Sequence, residues 1–324
     1  MRICSPYTPI LIAALAIAAC ETPTPVATRA AGVRTELAPD APSSWSEPVN
    51  LGAPINSPGA EQAPTLSADG LSLYFASDRL GGLGGVDLWV SHRDNPESPW
   101  EMPINLGSPI NSPDVESGPN LSIDGHLLFF QSSRLGGEGS NDLYVAYRAD
   151  VHDDFGWGDP VNVGADVNTS AGEFGPWYTE NGADGPVLYF ARGPNNTFTQ
   201  LYSAPVDRDG RARGSAVPVT ELNDPAFTQG RPTLAVDGRE IIFYSNRQGG
   251  LGGADLWTAT RRSANDAWSP PVNLGAPLNS LAGELLPALS RDGNTLLFTT
   301  NNRPGGLGGM DIWMSRRLPP RAGK

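Results

Sequence analysis

Short apolar runs separated by turn residues make up the chain after residue 20. A representative stretch, PTLSADGLSLYF at 64–75, places an apolar segment on each side of an Asp-Gly pair. Runs this short around Asp-Gly are typical of two β-strands joined by a tight hairpin. No stretch keeps the 3.6-residue period of an amphipathic helix. The pattern therefore predicts an all-β protein with a two-residue turn at each Asp-Gly pair.

The same pattern returns along the chain as an internal repeat. Hairpin segments like the first begin at 119, 232 and 287. A glycine-rich segment, RLGGLGGVDLW at 79, returns at 134, 247 and 303, with a degraded copy at 192, and PVNLGAPINS at 48 returns at 103, 160 and 271. Each unit therefore supplies four predicted strands, which we label A to D, with the glycine loop between strands B and C.

Four-stranded units repeated five times describe the blades of a β-propeller. The stretches counted as strand D are 45–52, 100–107, 157–164, 215–222 and 268–275. Because the first of these precedes the first strand A, the fifth blade would lack its outer strand unless the N-terminal stretch supplies it. We predict five four-stranded antiparallel blades over 44–318, with the ring closed by the N-terminal strand.

The repeated motifs resemble those of a known family. Pro-x-Leu-Ser-x-Asp-Gly, Leu-Tyr-Phe-x-Ser-x-Arg-x-Gly-Gly and Asp-Leu-Trp are similar to the WD40-like repeat of TolB-type propellers, in the version found beside OmpA-type domains in bacterial envelope proteins. The resemblance implies a propeller in the cell envelope, usually a binding platform, and names no ligand. No OmpA-type domain follows the repeats before Lys324, so direct anchoring to peptidoglycan is not expected.

The first twenty residues are typical of a signal peptide. Arg2 precedes a short apolar core at 10–19, and small residues come before Cys20. Ten apolar residues are too few to span a bilayer. The sequence IAAC at 17–20 resembles a bacterial lipobox, in which the cysteine carries lipid. The alternative is an ordinary signal peptide cleaved nearby.

The residues after the predicted lipidation site, Cys20, indicate a cellular location. Glu21 stands where an aspartate would favour retention in the inner membrane of some bacteria. A stretch rich in Pro, Ala and Thr at 21–43 is typical of a tether, and 319–324 forms a short tail. We expect an outer-membrane lipoprotein that faces the periplasm and touches the membrane only through its lipid, with exposure on the cell surface left open.

Composition excludes several classes of function. The formal net charge of −13 argues against nucleic acid, whose phosphates need a basic face. Lys324 is the only lysine, which excludes a P-loop or a Schiff base, and the glycine loop recurs between strands, whereas a phosphate loop leads into a helix. The three histidines have no metal-ligand spacing. We expect no nucleotide, no metal and no cofactor.

Four glutamates recur three residues before the strand-A proline. On the glycine-loop face, near the channel mouth, they could form a ring that holds a cation or receives a basic partner. In the alternative they are structural: with a two-residue turn, Glu61 faces Asp78 and neighbours Arg79. Glu116 likewise comes beside Arg134, and Glu284 falls near Arg303. The channel-mouth carboxylates are Glu61, Glu116, Glu173 and Glu284, with Gln229 at the fifth position.

Units three and four depart from the repeat. Unit three loses its glycine loop and carries larger residues in strand A, and unit four adds an aromatic residue and an arginine. Aromatic rings mixed with amides and a charge suit contact with a protein or a glycan, although local repacking is also compatible. The candidate ligand-binding residues are Glu173, Phe174, Asn195, Asn196, Phe198, Phe227 and Arg231.

The leading hypothesis is a non-catalytic envelope lipoprotein whose propeller loop face binds an envelope protein or a glycan polymer, with no catalytic residues. The alternative is a glycosidase-like, carbohydrate-active enzyme that uses the channel-mouth carboxylates, because five-bladed propellers include arabinanase-type glycosidases. That family's motifs are not found in this sequence, and the near-identical glutamate contexts of units one, two and five favour binding.

Overall fold

The computed structural model describes residues 45–182, 184–195 and 197–319, and these form twenty β-strands. In this part of the chain no helix is long and apolar enough to cross a membrane. The predicted signal peptide, Cys20, the tether and Asn196 lie outside the described residues. The strands are β1 (Val49–Asn50), β2 (Glu61–Leu66), β3 (Ser72–Ser77), β4 (Asp87–His92), β5 (Ile104–Asn105), β6 (Glu116–Leu121), β7 (Leu127–Ser132), β8 (Asp142–Tyr147), β9 (Val161–Asn162), β10 (Gly172–Gly182), β11 (Gly185–Gly193), β12 (Gln200–Pro205), β13 (Val217–Pro218), β14 (Gln229–Leu234), β15 (Glu240–Ser245), β16 (Asp255–Thr260), β17 (Val272–Asn273), β18 (Gly283–Leu289), β19 (Thr295–Asn301) and β20 (Asp311–Arg316).

The strands pair into five antiparallel sheets of four strands each. Blades one to four take consecutive strands, from β2–β5 to β14–β17, and blade five takes β18–β20 with β1 at its outer edge. Val49 of β1 pairs with Met314 of β20, and Trp45 bridges Arg317 just outside the strands. The predicted five-bladed β-propeller, closed by its N-terminal strand, is confirmed.

The apolar cores lie between the blades. In β3, Leu73 and Phe75 pack in a cluster with residues of blade five, whereas Tyr74 and Ala76 pack in a cluster with residues of blade two. Successive side chains of a strand point to opposite faces. Both faces of a strand B are therefore buried, which explains why these strands are runs of apolar residues with no polar alternation.

An asparagine ties each blade to the next. Asn111 lies between β5 and β6, and its Nδ2 donates to the carbonyl of Leu88 in β4 at 2.9 Å. The Leu88 amide donates in return to Asn111 Oδ1 at 2.8 Å. This pairing mimics a strand and satisfies backbone groups at the blade junction. The equivalent residues are Asn56, Asn168, Asn223 and Asn279.

The A–B hairpin has a longer turn than the sequence predicts. The Ser67 amide donates to the Ser72 carbonyl at 2.9 Å around a loop of residues 68–71. The Asp69 carboxylate accepts a hydrogen bond from the Leu71 amide at 3.0 Å, which stabilises the wider loop. The hairpin is present, but the predicted two-residue turn is wrong at this position.

The register of strand A also differs from the prediction. Glu61 pairs with Ser77, not with Asp78. The shift arises at Ala63, whose φ of 54° forms a β-bulge between the pairs at Gln62 and Thr65. A bulge inserts one extra residue into one strand and displaces every later pair by one.

The outer strands are shorter than the eight-residue stretches counted from the sequence. Each strand D contains two residues, and four of them directly follow a proline that lacks an N–H to donate. A glycine with positive φ lies two residues after the same four strands, and turns the chain away from the sheet. Those prolines are Pro48, Pro103, Pro160 and Pro271, and those glycines are Gly52, Gly107, Gly164 and Gly275.

Candidate functional site

The glycine loops pack one blade against the next. The Gly85 amide of blade one donates to the Asp114 carbonyl at 3.0 Å, and the Glu116 amide donates back to Val86 at 2.8 Å. A Cβ added to Gly84 would lie 2.1 Å from that Asp114 oxygen, so no larger residue fits there. The same approach occurs at Gly139, Gly252 and Gly308, at 1.8, 2.0 and 2.1 Å. The third glycine of these four loops is therefore explained by blade packing.

The four recurring glutamates are buried and paired. Glu116 accepts hydrogen bonds from the Ser112 amide at 2.8 Å, the Ser112 hydroxyl at 2.7 Å and the Ser132 hydroxyl at 2.6 Å. Its carboxylate also lies 3.2 Å from the Arg134 guanidinium. The equivalent ion pairs are Glu61–Arg79 at 3.1 Å, Glu173–Arg192 at 2.8 Å and Glu284–Arg303 at 3.4 Å.

None of these four side chains is exposed to solvent. Burial raises the pKa of Glu173 and of Glu284, while hydrogen bonds from a neighbouring hydroxyl and the paired arginine act in the opposite direction. In the described part of the chain, no group of three His, Cys, Asp or Glu side chains could hold a metal ion. The geometry favours the structural alternative for these carboxylates over a ring open to a ligand.

A cavity of about 820 Å³ lies on the ring axis on the glycine-loop side. All five blades contribute to its wall, through the beginnings of their strands A and the ends of their glycine loops. The wall is mostly neutral: among the described residues it contains no Asp or Glu. Its polar side chains include Gln62, Ser117, Gln131, Ser140, Asn141, Asn195, Thr197, Thr228, Tyr244 and Asn246, and its one arginine is Arg231.

The structure divides the candidate ligand-binding residues. Phe174, Asn195 and Arg231 line the cavity together, whereas Glu173 is buried in its ion pair. Phe198, which is exposed, and Phe227, which is half-buried, lie outside the wall. Sequence reasoning missed the amides of blades one and two, because each occurs once within a unit that otherwise repeats closely.

The bulge residues form one ring around this cavity. Each directly precedes the strand-A proline, has a positive φ and lines the wall. Blades two and three place glycine there, the residue that adopts this conformation without strain. The five residues are Ala63 (φ 54°), Gly118 (66°), Gly175 (56°), Arg231 (36°) and Leu286 (53°).

Arg231 extends across the axis to the opposite blades. It is 2% exposed, and its Nη2 donates to the carbonyls of Ala63 at 3.2 Å, Pro64 at 2.9 Å and Pro119 at 3.2 Å. Its Nε and Nη1 have no hydrogen-bond partner among the described residues. Burial lowers the pKa of Arg231 to about 9, against the opposing effect of Tyr244, so the side chain is charged at neutral pH.

Exposed apolar side chains stand on the loops around the cavity. Leu80 is 99% and Leu135 is 95% exposed. Four further residues are about half exposed, and the six residues together come from all five blades. We call this set the loop crown: Leu80, Leu83, Leu135, Phe198, Leu251 and Leu307. One or two of these residues stand on each blade, on its loop between strands B and C.

No family model matches the sequence, and no curated protein matches it. Among solved structures, a thermostable family-43 glycoside hydrolase is similar over 84% of this chain and 94% of its own, with 12% identity and a TM-score of 0.58. An α-L-arabinofuranosidase from Lactobacillus brevis is similar over 82% and 92%, with 12% identity and a TM-score of 0.55.

These likenesses show the fold alone. TolB from Acinetobacter baumannii is also similar, at 16% identity over 80% of this chain and 55% of its own, with a TM-score of 0.47. A score this low carries no argument, so the TolB-type resemblance of the repeat motifs stays a prediction.

Proposed function

We propose that this propeller is a non-catalytic binding protein of the bacterial envelope whose glycine-loop face takes a protein or an envelope polymer. The loop crown carries the proposal. Exposed apolar side chains gathered on one face of a soluble fold are typical of an interaction surface. The envelope address rests on the sequence expectation of lipidation at Cys20.

The cavity supports the same proposal. It lies inside the crown, and its amides and hydroxyls offer hydrogen bonds to a ligand or to a partner segment that enters the axis. The three predicted residues on its wall, Phe174, Asn195 and Arg231, keep their proposed role as ligand contacts.

The second candidate is a glycosidase, which the fold shared with a family-43 hydrolase and an arabinofuranosidase favours. Such enzymes place two carboxyl groups about 5–10 Å apart on either side of the scissile bond. Among the described residues the cavity wall contains no carboxyl group, and Glu61, Glu116, Glu173 and Glu284 are held in ion pairs. This arrangement argues for binding.

The test is capture of envelope proteins and polysaccharides by the full chain, with released sugars analysed in the same samples. The variant Leu80→Ser, Leu135→Ser, Leu307→Ser removes apolar surface from three blades of the crown. A matched control, Val49→Ser, Val217→Ser, Val272→Ser, removes exposed valines from the outer strands.

We expect a partner that the wild type and the valine variant retain and the leucine variant loses. Equal retention by all three proteins would refute binding at the crown. Sugar release by the wild type would establish the glycosidase.

A further inference from the structure

We propose that the axial cavity binds an acidic sugar whose carboxylate lies over Arg231. The inference rests on the proposed binding function and deepens it by naming the class of ligand.

Arg231 carries a charge that no carboxylate among the described residues neutralises. It carries the only full charge among the described residues that line the cavity, and no carboxylate among the described residues forms an ion pair with it. Four of the five arginines after strand B differ, because Arg79, Arg134, Arg192 and Arg303 each have a glutamate. A buried charge without a counter-charge is strongly unfavourable. An anionic ligand would supply the missing counter-charge.

Arg231 also has N–H donors that no described acceptor satisfies. A guanidinium has five N–H groups. The two on Nη2 face the carbonyls of Ala63, Pro64 and Pro119. The three on Nε and Nη1 meet no acceptor among the described residues. Arg231 lines the cavity and is almost wholly buried, so an anion beside it would be attracted more strongly than in bulk water.

The bulge does not need an arginine at this position. Gly118 and Gly175 build the same bulge in blades two and three. A side chain at a φ of 36° is unfavourable, and a buried cation adds to that cost. Ala63 and Leu286 adopt a similar backbone conformation in blades one and five, so the bulge itself requires no charged side chain. Glycine would form the bulge at a lower conformational cost.

The rest of the wall favours a sugar as the bearer of the carboxylate. The side chains of Gln62, Ser117 and Asn141 line the cavity without a hydrogen bond to any other described residue. Amides and hydroxyls both donate and accept, as the hydroxyls of a sugar require. The ring of Phe174 offers an apolar surface beside them. A volume of about 820 Å³ is within the range of small-ligand sites.

Calorimetric titration of the full chain with digalacturonate tests the inference, and its methyl ester provides the same sugar without charge. The variants are Arg231→Gln and Arg231→Gly, the latter copying the bulge of blades two and three. Arg208→Gln, at an exposed position outside the cavity wall, removes the same charge as a control. Thermal unfolding of each variant establishes that it is folded.

We expect digalacturonate to bind, and the ester to bind about ten- to hundredfold more weakly, as the loss of a charged hydrogen bond implies. Both Arg231 variants should lose a similar factor, and Arg208→Gln should match the wild type. Absence of binding, equal binding of acid and ester, or unchanged affinity in folded Arg231 variants would overturn the inference.

A trialanine peptide with a free carboxyl terminus serves as the remaining arm. If it binds and digalacturonate does not, the cavity recognises a peptide end and the sugar assignment is wrong. Capture of a partner through the loop crown without binding of digalacturonate would refute this inference alone. Binding of digalacturonate without any crown-dependent partner would refute the proposed role of the crown and leave the cavity site intact.

Discussion

Glu116 joins two strands of blade two to the connection that precedes them, and its replacement by alanine should destabilise the propeller. The change removes the acceptor of hydrogen bonds from Ser112, Ser132 and Arg134. Removing one partner of a buried ion pair costs about 3–5 kcal/mol. Arg134 is 16% exposed and keeps the carbonyl of Ile110, which places the expected loss near the lower limit, at about 3 kcal/mol.

The glutamine variant should lose less, because blade four already contains an amide at this position. Gln229 accepts from the Asp224 amide at 3.3 Å and donates to the Asp224 carbonyl at 3.2 Å. In Glu116→Gln the amide oxygen can still accept from Ser112, while the charge-assisted bond to Arg134 is weakened. We expect a loss of about 1–2 kcal/mol.

Urea unfolding, followed by tryptophan fluorescence, measures both losses. With a slope of about 3 kcal/mol per molar urea, a loss of 3 kcal/mol lowers the midpoint by about 1 M. Glu138→Ala, an exposed glutamate in the glycine loop of the same blade, serves as the control with an equal change of charge. If Glu116→Ala shifts the midpoint no more than this control, the carboxylate does not stabilise the blade and our reasoning fails.

Gly139→Ala should destabilise the propeller by about 1–3 kcal/mol, because the new Cβ would lie 1.8 Å from the Ala171 carbonyl oxygen. In the control Gly253→Ala the new Cβ meets nothing within 4 Å, so this variant should be as stable as the wild type. Equal melting temperatures of the two variants would contradict the prediction. Burial raises the pKa of Glu284 above 4.5, so the folded state binds its proton more tightly than the unfolded state. The free energy of unfolding should therefore rise as the pH falls from above that raised pKa to about 4.5, and Glu284→Gln should remove this part of the rise in urea titrations across the range. If the free energy of unfolding of Glu284→Gln depends on pH as the wild type does, the prediction is wrong.

The blade count and the closure of the ring were predictable because each blade is covered on both sides by its neighbours. Every unit must therefore present the same apolar strands to the next unit, so the repeat can be recognised in the sequence. The bulge at Ala63 was not predictable from spacing, because one extra residue in a strand leaves no recognisable mark on the sequence pattern of that strand. That one-residue shift explains why Glu61 pairs with Ser77 and not with Asp78.

The candidate site was only partly predictable. Arg231 stands out in the sequence because its equivalents are small or apolar, and in the structure it lines the cavity. Gln62 and Asn141 gave no signal, because a single amide in one blade breaks no pattern and its importance depends on where the ring axis passes. The glutamates gave the strongest signal, and their recurrence is explained by ion pairs within each blade.

The seam between the first and the last strand sets the order in which the protein can finish folding. The Arg316 amide donates to the hydroxyl of Ser46, a residue 270 positions earlier in the chain. Among the described strands β1 is synthesised first, and it has no partner strand until β20 has been synthesised. Contacts between such distant residues form late, because the loop between them must close first. A polypeptide that ends before β20 would therefore keep β1 unpaired. The ring can close only after β20 has been synthesised.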